Sequence, residues 1–264
     1  MNNPYEIEGP AVISFSGGRT SGYMLRNILD VGLAPDVHVV FANTGKEREE
    51  TLVFVNTVSR EWGVDIVWLE RHGDGHPVEV AFTSAARNGE PFDAIIGKRG
   101  YAPGPMSRFC STELKTLTID KWMRGQGYPK YWGNVVGIRG DEQRRAAKML
   151  EGGQRRGWEV VLPLYERGVI ERDVMEFWDS QTFDLGITSM QGNCDLCFLK
   201  SRSKLVNLIR DEPERAEWWI RHEVITQSVF RRDRANYSEM VAQRDLFKDS
   251  SESEIDIIEC ACTD

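Results

Sequence analysis

The stretch AVISFSGGRTSGYML, residues 11–25, decides the fold of this 264-residue chain. A short apolar run ends at a Ser-Gly-Gly turn, and a pattern typical of an amphipathic helix begins directly after it. Gly17 and Gly18 permit a tight turn, and Thr20 or Ser21 can cap the helix. Because a helix N-terminus offers free amides and the positive end of a dipole, the turn predicts a phosphate site. The glycine spacing matches neither the Walker loop nor the dinucleotide-binding fingerprint.

Alternating apolar runs and helical periods predict an α/β, Rossmann-like fold with a doubly wound, mostly parallel sheet. The predicted strands are nearly unbroken apolar runs, which suit a sheet covered on both faces: residues 11–15, 37–42, 65–69 and 134–138. Ligands of such sheets bind outside the carboxyl ends of the strands. Ser16, Asn43 and Arg139 are expected at that edge.

Helices are predicted between the strands and beyond the sheet. Met24, Leu25 and Ile28 lie on one face of the first helix. The second helix is expected to carry Glu47, Glu49 and Glu50 in its first turn, where its dipole favours acids. The Gly- and Pro-rich residues 71–106 are interpreted as a long functional loop region.

Three domains are expected from this pattern. A nucleotide-binding α/β domain is predicted at residues 1–165 and a helical subdomain with the C-x-x-C motif at 166–249. An acidic tail that contains cysteines is predicted at 250–264.

Three further motifs follow the glycine turn: FANTGKEREETLVFV at 41–55, SRFCSTELK at 107–115 and GIRGDEQRR at 137–145. Together with the SGG-x-x-S turn, they resemble the phosphoadenosine phosphosulfate (PAPS) reductase family of the PP-loop, or adenine nucleotide alpha-hydrolase-like, superfamily. The resemblance covers most of the chain, from residue 12 to residue 200. Two positions differ: Thr20 stands where many PP-loop ATPases carry Asp, and Asn43 stands where the family usually carries Asp.

The resemblance implies binding of an adenine nucleotide, since PP-loop enzymes split ATP between its α- and β-phosphates with Mg²⁺ as the cofactor. The implied nucleotide-binding residues lie in three turns: Ser16, Gly17, Gly18, Arg19, Thr20, Ser21, Asn43, Thr44, Gly45 and Gly137. Arg139 and Lys115 are the implied catalytic cations, which neutralise phosphate charge during transfer. Cys110, in a loop that the family keeps near the nucleotide, is the third candidate catalytic residue.

The five cysteines indicate thiols used as ligands or redox groups rather than a disulfide framework. Cys194 and Cys197 form a C-x-x-C, which places two sulfurs within reach of one metal or of each other. The resemblance to PP-loop enzymes that thiolate RNA bases implies that Cys110 joins them on a [4Fe–4S] cluster with one open iron. A structural Zn²⁺ site completed by Cys260 or Cys262, or a redox pair, remains an alternative.

The function expected from these motifs is ATP-dependent, adenylating sulfur transfer from a sulfur donor to an acceptor that the sequence does not identify. The alternative is a thiol-dependent sulfonucleotide (PAPS or APS) reductase, because Glu259 and Cys260 are similar to the Glu-Cys-Gly near the end of PAPS reductases. Ala261 follows here in place of Gly. A second alternative is a non-catalytic nucleotide-binding protein with a structural metal, since Thr20 replaces the usual acid.

Composition limits the partners. The net charge of −8 argues against a general nucleic-acid coat. Two arginine clusters are nevertheless candidate contacts for a nucleic-acid acceptor: Arg139, Arg144, Arg145, Arg155 and Arg156, and Arg231, Arg232 and Arg234. No apolar run is long enough for a membrane span, and residues 1–10 lack the features of a signal peptide. We therefore expect a cytoplasmic protein with no membrane partner.

Overall fold

The computed structural model of the protein describes residues 3–128, 131–156, 158–188 and 190–244. Six strands form one sheet in the order β4-β3-β2-β1-β5-β6. The strands are β1 Ala11–Ser14, β2 Val37–Ala42, β3 Ile66–Arg71, β4 Pro77–Val80, β5 Gly133–Val136 and β6 Glu159–Val161. All neighbouring strands are parallel except β3 and β4. The predicted α/β fold with a mostly parallel sheet is confirmed.

Helices surround the sheet and make up most of the described chain after β6. They are α1 Arg19–Val31, α2 Glu49–Trp62, α3 Glu90–Arg99, α4 Leu117–Gly125, α5 Gln143–Arg156, α6 Pro163–Glu166, α7 Glu171–Asp179, α8 Arg202–Asp211, α9 Ala216–Thr226 and α10 Tyr237–Gln243. A π-helix, Cys110–Thr116, runs directly into α4, and a 3₁₀ turn, Pro213–Arg215, precedes α9. Among the described residues, no helix is both long and apolar enough to cross a membrane.

The order of the strands places three turns together. β1 lies between β2 and β5, so that Ser14 pairs with Val40 on one side and with Val136 on the other. The turns that follow these three parallel strands therefore meet at one edge of the sheet. This is the point of strand-order reversal at which open α/β sheets bind their ligands.

Two large hydrophobic clusters hold the fold together. The first packs α1 and α2 on the sheet and includes Ile13, Met24 and Val55, but it also contains Trp178 of α7. The second surrounds Cys197 and joins α3 and the π-helix to α8, α9 and α10. Residues on both sides of position 165 thus contribute to each cluster, and the boundary expected there stays a prediction.

The segment 71–106, expected as a loop region, contains β4 and α3, so that prediction is wrong. The missed signals are local. Gly89 in a left-handed conformation precedes α3, Pro91 lies in its first turn, and Gly100, also left-handed, ends the helix. β4 and β6 are short edge strands, which leave little hydrophobic pattern to detect.

Candidate functional site

The turn after β1 is closed by serine hydroxyls. The Ser21 hydroxyl donates to the Gly18 carbonyl over 3.0 Å and lies 3.3 Å from the Gly18 amide. Its oxygen is also 2.9 Å from that of Ser16. These contacts fix the backbone at the start of α1, where the first amides of the helix have no partner within the helix.

Two glycines let other elements approach this turn. Gly17 has a φ of 78°, and a Cβ there would lie 2.8 Å from Cγ2 of Thr51 on α2. A Cβ on Gly137 would lie 3.2 Å from Cα of Ser21. Glycine at these positions therefore serves the packing of α2 and of the end of β5 against the turn, independently of any ligand.

Arg139 follows β5 and reaches the start of α1. Its Nη1 donates to the hydroxyl of Thr20 over 3.2 Å, and its Nε donates to Asp141 over 3.0 Å. Burial lowers the pKa of Arg139, but the carboxylates of Glu142 and Asp141 outweigh this effect and raise it. The guanidinium is therefore a fixed positive charge beside the predicted phosphate turn.

The other two predicted cations also contact carboxylates. Arg19 donates to both oxygens of Asp184 and to the carbonyl of Ile187. Nζ of Lys115 lies 3.3 Å from Oε1 of Glu47. The positive charge that these cations would offer to a nucleotide is thus partly offset by their carboxylate partners. Two carboxylates, Asp141 and Asp184, stand near the glycine turn through their contacts with Arg139 and Arg19.

Asn43, at the end of β2, is completely buried and shapes its own turn. Its Nδ2 donates to Glu70 over 2.6 Å and to the Ala86 carbonyl over 2.9 Å, while its Oδ1 accepts from the Gly45 amide. Both amide hydrogens are thereby used within the protein. Burial raises the pKa of Glu70, although the bonds from Ala86 and Asn43 oppose it, and Glu90 adds to the rise. An Asp at position 43 would face this carboxylate, which explains why Asn stands there.

Asn43→Asp is therefore expected to destabilise the protein by about 3 kcal/mol at pH 7, because two donors are lost and two carboxylates are brought together. Each carboxylate raises the pKa of the other. The loss of stability is therefore present above pH 4.5, the ordinary pKa of Glu, and it shrinks as the pH falls and the pair binds a proton. Urea unfolding at pH 4 to 8 measures it. Adding Glu70→Gln should restore most of the loss, and a double-mutant cycle without coupling would contradict this account.

Glu47 closes the turn after β2. Its Oε2 accepts from the Thr44 amide and from the Thr44 hydroxyl, each over 2.8 Å. The carboxylate is buried, and the main chain of Glu47 forms a β-bridge with that of Cys194. The prediction that Glu47 lies in the first turn of α2 is wrong, since that helix begins at Glu49; Glu49 and Glu50 do occupy its first turn.

The loop that carries the C-x-x-C is bound to both turns. Nδ2 of Asn193 donates to the Ser16 carbonyl over 3.2 Å, and the Asn193 carbonyl accepts from the Arg48 amide over 2.8 Å. The Asp195 amide donates to the Lys46 carbonyl, and their side chains form an ion pair of 2.9 Å. The cysteine loop therefore lies directly beside the predicted nucleotide site.

The three predicted ligands all touch one large hydrophobic cluster. Cys197 belongs to the cluster, and Cys110 and Cys194 pack against it. A hydrogen bond with Cys197 lowers the pKa of Cys194, but desolvation outweighs it, together with the charges of Glu47 and Asp195, so that this pKa is raised. The chemistry of the donor set, three thiols from two segments in apolar surroundings, is of the kind that iron–sulfur clusters use, but the described residues do not bring three metal-ligating side chains into one group.

The structure describes only some of the residues that the predicted metal sites require. Among the described residues, no three His, Cys, Asp or Glu side chains are grouped to hold a single metal ion. Cys260 and Cys262, which the zinc alternative and the reductase alternative require, lie outside the described residues. Cys110 begins the π-helix, a conformation that often marks functional sites.

The two arginine clusters are not uniform. Arg145 pairs with Glu142 and Arg231 with Asp233, while Arg144 and Arg232 are exposed. The side chains of Arg155 and Arg156 lie outside the described part of the chain.

Sequence reasoning missed four site residues that only the fold brings into place: Glu47, Glu70, Asn193 and Asp195. Two of them adjoin predicted motifs, since Asn193 and Asp195 flank the first cysteine of the C-x-x-C. Glu70 had no such signal, because it lies on β3, whereas Asn43 follows β2.

Two curated proteins are similar to the chain in sequence, while no family model matches it. The uncharacterized nin region protein ORF290 of Escherichia phage lambda is 32% identical over 215 residues, which cover 76% of this chain and 70% of the phage protein. The uncharacterized protein MJ0066 of Methanocaldococcus jannaschii is 43% identical over 150 residues, or 56% of this chain. The match spans only 27% of the archaeal protein. Neither name states an activity.

Proposed function

This chain belongs to the same protein family as the phage lambda protein ORF290, and we propose that it is a PP-loop enzyme of the PAPS reductase type that adenylates an acceptor with ATP and transfers sulfur to it. The observation that carries the proposal is the attachment of the cysteine loop to both strand-end turns through Asn193 and Asp195. A thiol-based sulfur site and a phosphate turn in direct contact suit a reaction in which activation and sulfur attack occur at one centre.

ATP binds with its phosphates at the turn of Ser16 to Ser21, where the helix dipole and free amides favour negative charge. Arg139 and Lys115 stabilise the charge that develops on the phosphates. Mg²⁺, which usually takes one or two protein carboxylates in addition to phosphate oxygens, would be held by Asp141 or Asp184, the acids that pair with Arg139 and Arg19 beside the turn. These acids take the place of the Asp that many PP-loop ATPases carry at position 20.

The chemistry has two steps. The acceptor oxygen first bonds to the α-phosphorus of ATP, and pyrophosphate leaves. Inorganic sulfide, delivered beside Cys110, Cys194 and Cys197, then bonds to the acceptor carbon. The bond between that carbon and the adenylated oxygen breaks, and AMP departs with the oxygen. A [4Fe–4S] cluster, when bound by these residues, supplies an open iron that can carry the sulfide.

Exposed arginines support an acceptor with phosphate groups. Arg144 and Arg232 are exposed cations that such a chain would contact. A nucleic acid is therefore our favoured acceptor class, and we place the reaction in the cytoplasm, where thiols stay reduced.

Product analysis tests the proposal. With ATP, Mg²⁺, sulfide and RNA or DNA, we expect pyrophosphate and AMP in equal amounts, together with sulfur in the nucleic acid. With PAPS or APS and a thiol donor, we expect no sulfite. Sulfite release that disappears in Cys260→Ser would overturn the proposal in favour of the reductase, because such an enzyme needs its nucleophilic thiol. If the protein binds ATP but forms no product with any acceptor, the result would favour the non-catalytic alternative.

A further inference from the structure

The Met106 turn, residues 103–108, holds an apolar side chain in solvent. The Ser107 amide donates to the Gly104 carbonyl over 3.0 Å, and the Gly104 amide donates to the Ser107 carbonyl over 3.3 Å. Pro105, at the second position of this β-turn, restricts the backbone further. Met106 follows it and is 99% exposed, more than any other large apolar side chain among the described residues. The backbone therefore fixes in place a side chain that has almost no packing contacts of its own.

The Met106 turn is anchored to the segment that carries the second arginine cluster. The Ala102 amide, next to the turn, donates to the Ser228 hydroxyl over 2.8 Å. A Cβ on Gly104 would lie 3.1 Å from the carbonyl oxygen of Phe230, so glycine permits this close approach. Phe230 directly precedes the cluster in the sequence. Folding thus brings the arginine cluster to a turn from which it is separated by more than a hundred positions, since Ala102 and Ser228 are 126 positions apart.

Positive charge remains on both sides of the turn. Arg108 ends the turn and is partly exposed, and Arg232, close to Phe230 in the chain, is exposed. Neither guanidinium forms an ion pair with a described residue. Asp233, the acid within the arginine cluster, is already paired with Arg231. Because the chain as a whole has a net charge of −8, this local excess of cations suits a polyanion rather than a neutral partner.

The turn leads directly to a candidate catalytic cysteine. Met106 precedes Cys110 by only four positions, so their Cα atoms are at most about 15 Å apart. Tyr101 packs edge-on against Phe109, with ring centroids 5.5 Å apart, and its hydroxyl lies 3.3 Å from that of Ser107. Two exposed apolar side chains, Met106 and Tyr101, therefore stand next to the π-helix that begins at Cys110.

We propose that the Met106 turn docks the nucleic-acid acceptor: Met106 inserts beside a base that leaves its stack, and Arg108 and Arg232 contact the flanking phosphates. The inference rests on the acceptor class of the proposed function. An enzyme that acts on a base inside a duplex has to extrude that base, and apolar side chains such as Met insert between the separated base steps. A protein partner would also cover an apolar tip, but arginines without acidic partners on both sides of it favour phosphates.

The test measures how the full chain binds a short hairpin and an unstructured strand of the same length, each as RNA and as DNA. The hairpins carry 2-aminopurine at one stem position at a time, because the fluorescence of this base rises when it leaves the stack. Met106→Ala removes the wedge, and Met106→Leu keeps an apolar side chain of similar size. Met175→Ala is the matched control, since Met175 is an exposed methionine on α7. Melting curves confirm that each variant is folded.

We expect Met106→Ala to bind the hairpins about tenfold more weakly than the wild type, the scale of effect that follows removal of one side chain stacked on a base. The rise in fluorescence should disappear with it. Binding of the unstructured strands should stay unchanged, because no stack has to open. Met106→Leu and Met175→Ala should behave as the wild type does. Arg108→Gln and Arg232→Gln should weaken the binding of both forms and lower the salt dependence by about one ion each.

Three results would overturn the inference, and they differ in what they leave standing. Equal hairpin binding and equal fluorescence in Met106→Ala and the wild type would leave the acceptor class intact and remove only the docking turn. Wild-type protein that binds neither form would overturn the acceptor class of the proposed function as well. If the wild type binds no nucleic acid but self-associates, and Met106→Ala loses this association in sedimentation experiments, the turn is a protein interface instead.

Discussion

Cys194→Ser and Cys197→Ser are expected to lose the broad visible absorbance of an iron–sulfur cluster completely, and Cys110→Ser is expected to do the same. Each cysteine would hold a different iron, and a cluster with one ligand fewer has two irons open to solvent. Sulfur transfer should disappear with the absorbance. Anaerobic purification, followed by iron and sulfide analysis and visible spectroscopy, measures the effect.

The tail cysteines provide the matched controls. Cys260→Ser and Cys262→Ser should keep the full iron and sulfide contents, because neither is among the proposed ligands. Stoichiometric zinc without iron or sulfide in the wild-type protein would contradict the cluster, and loss of that zinc in the tail variants would establish the zinc alternative instead. Melting curves of each variant distinguish loss of a ligand from loss of the fold.

The positions of the sheet's inner strands could be predicted because their residues carry the signal themselves. β1, β2 and β3 are buried on both faces, so their sequences are nearly continuous apolar runs, and only their ends differ from prediction by one or two residues. β4 pairs antiparallel at the edge and exposes Glu79, and it therefore lacks this pattern. Burial on both faces decides how much of a strand a sequence reveals.

The site was less predictable because its contacts join residues that are far apart in the chain. Asn193 contacts Ser16 across 177 positions, and Arg234 contacts Phe198 across 36. A motif indicates which residues stand near one another locally, but the partners of Asn43 and Glu47 depend on how separate strands and loops meet. The sequence predicted that Asn43 contacts the nucleotide, whereas both amide hydrogens of its side chain are donated to Glu70 and to the carbonyl of Ala86.

Arg139→Gln is expected to lower the rate of pyrophosphate release about 10²- to 10³-fold, the usual effect of removing one preorganised group that stabilises developing charge. The guanidinium is fixed by Thr20 and Asp141 at the start of α1, so its charge needs no rearrangement when the bond to pyrophosphate breaks. Gln keeps a hydrogen-bond donor but loses the charge. Rates at saturating ATP, with affinity measured separately, distinguish this effect from weaker binding.

Arg144→Gln is the matched control, since Arg144 is an exposed arginine five positions along the chain on α5. It should leave the rate with a small acceptor unchanged, although it is expected to weaken the binding of a nucleic acid. The rate of pyrophosphate release by Arg139→Lys should lie between those of the wild type and Arg139→Gln, because an ammonium group retains the charge but not the planar, forked geometry of the guanidinium. Equal rates for Arg139→Gln and Arg144→Gln would mean that Arg139 only holds the turn after β5 through Thr20 and Asp141. The charge developing on ATP would then have to be stabilised by Lys115, whose ion pair with Glu47 would need to open when the nucleotide binds.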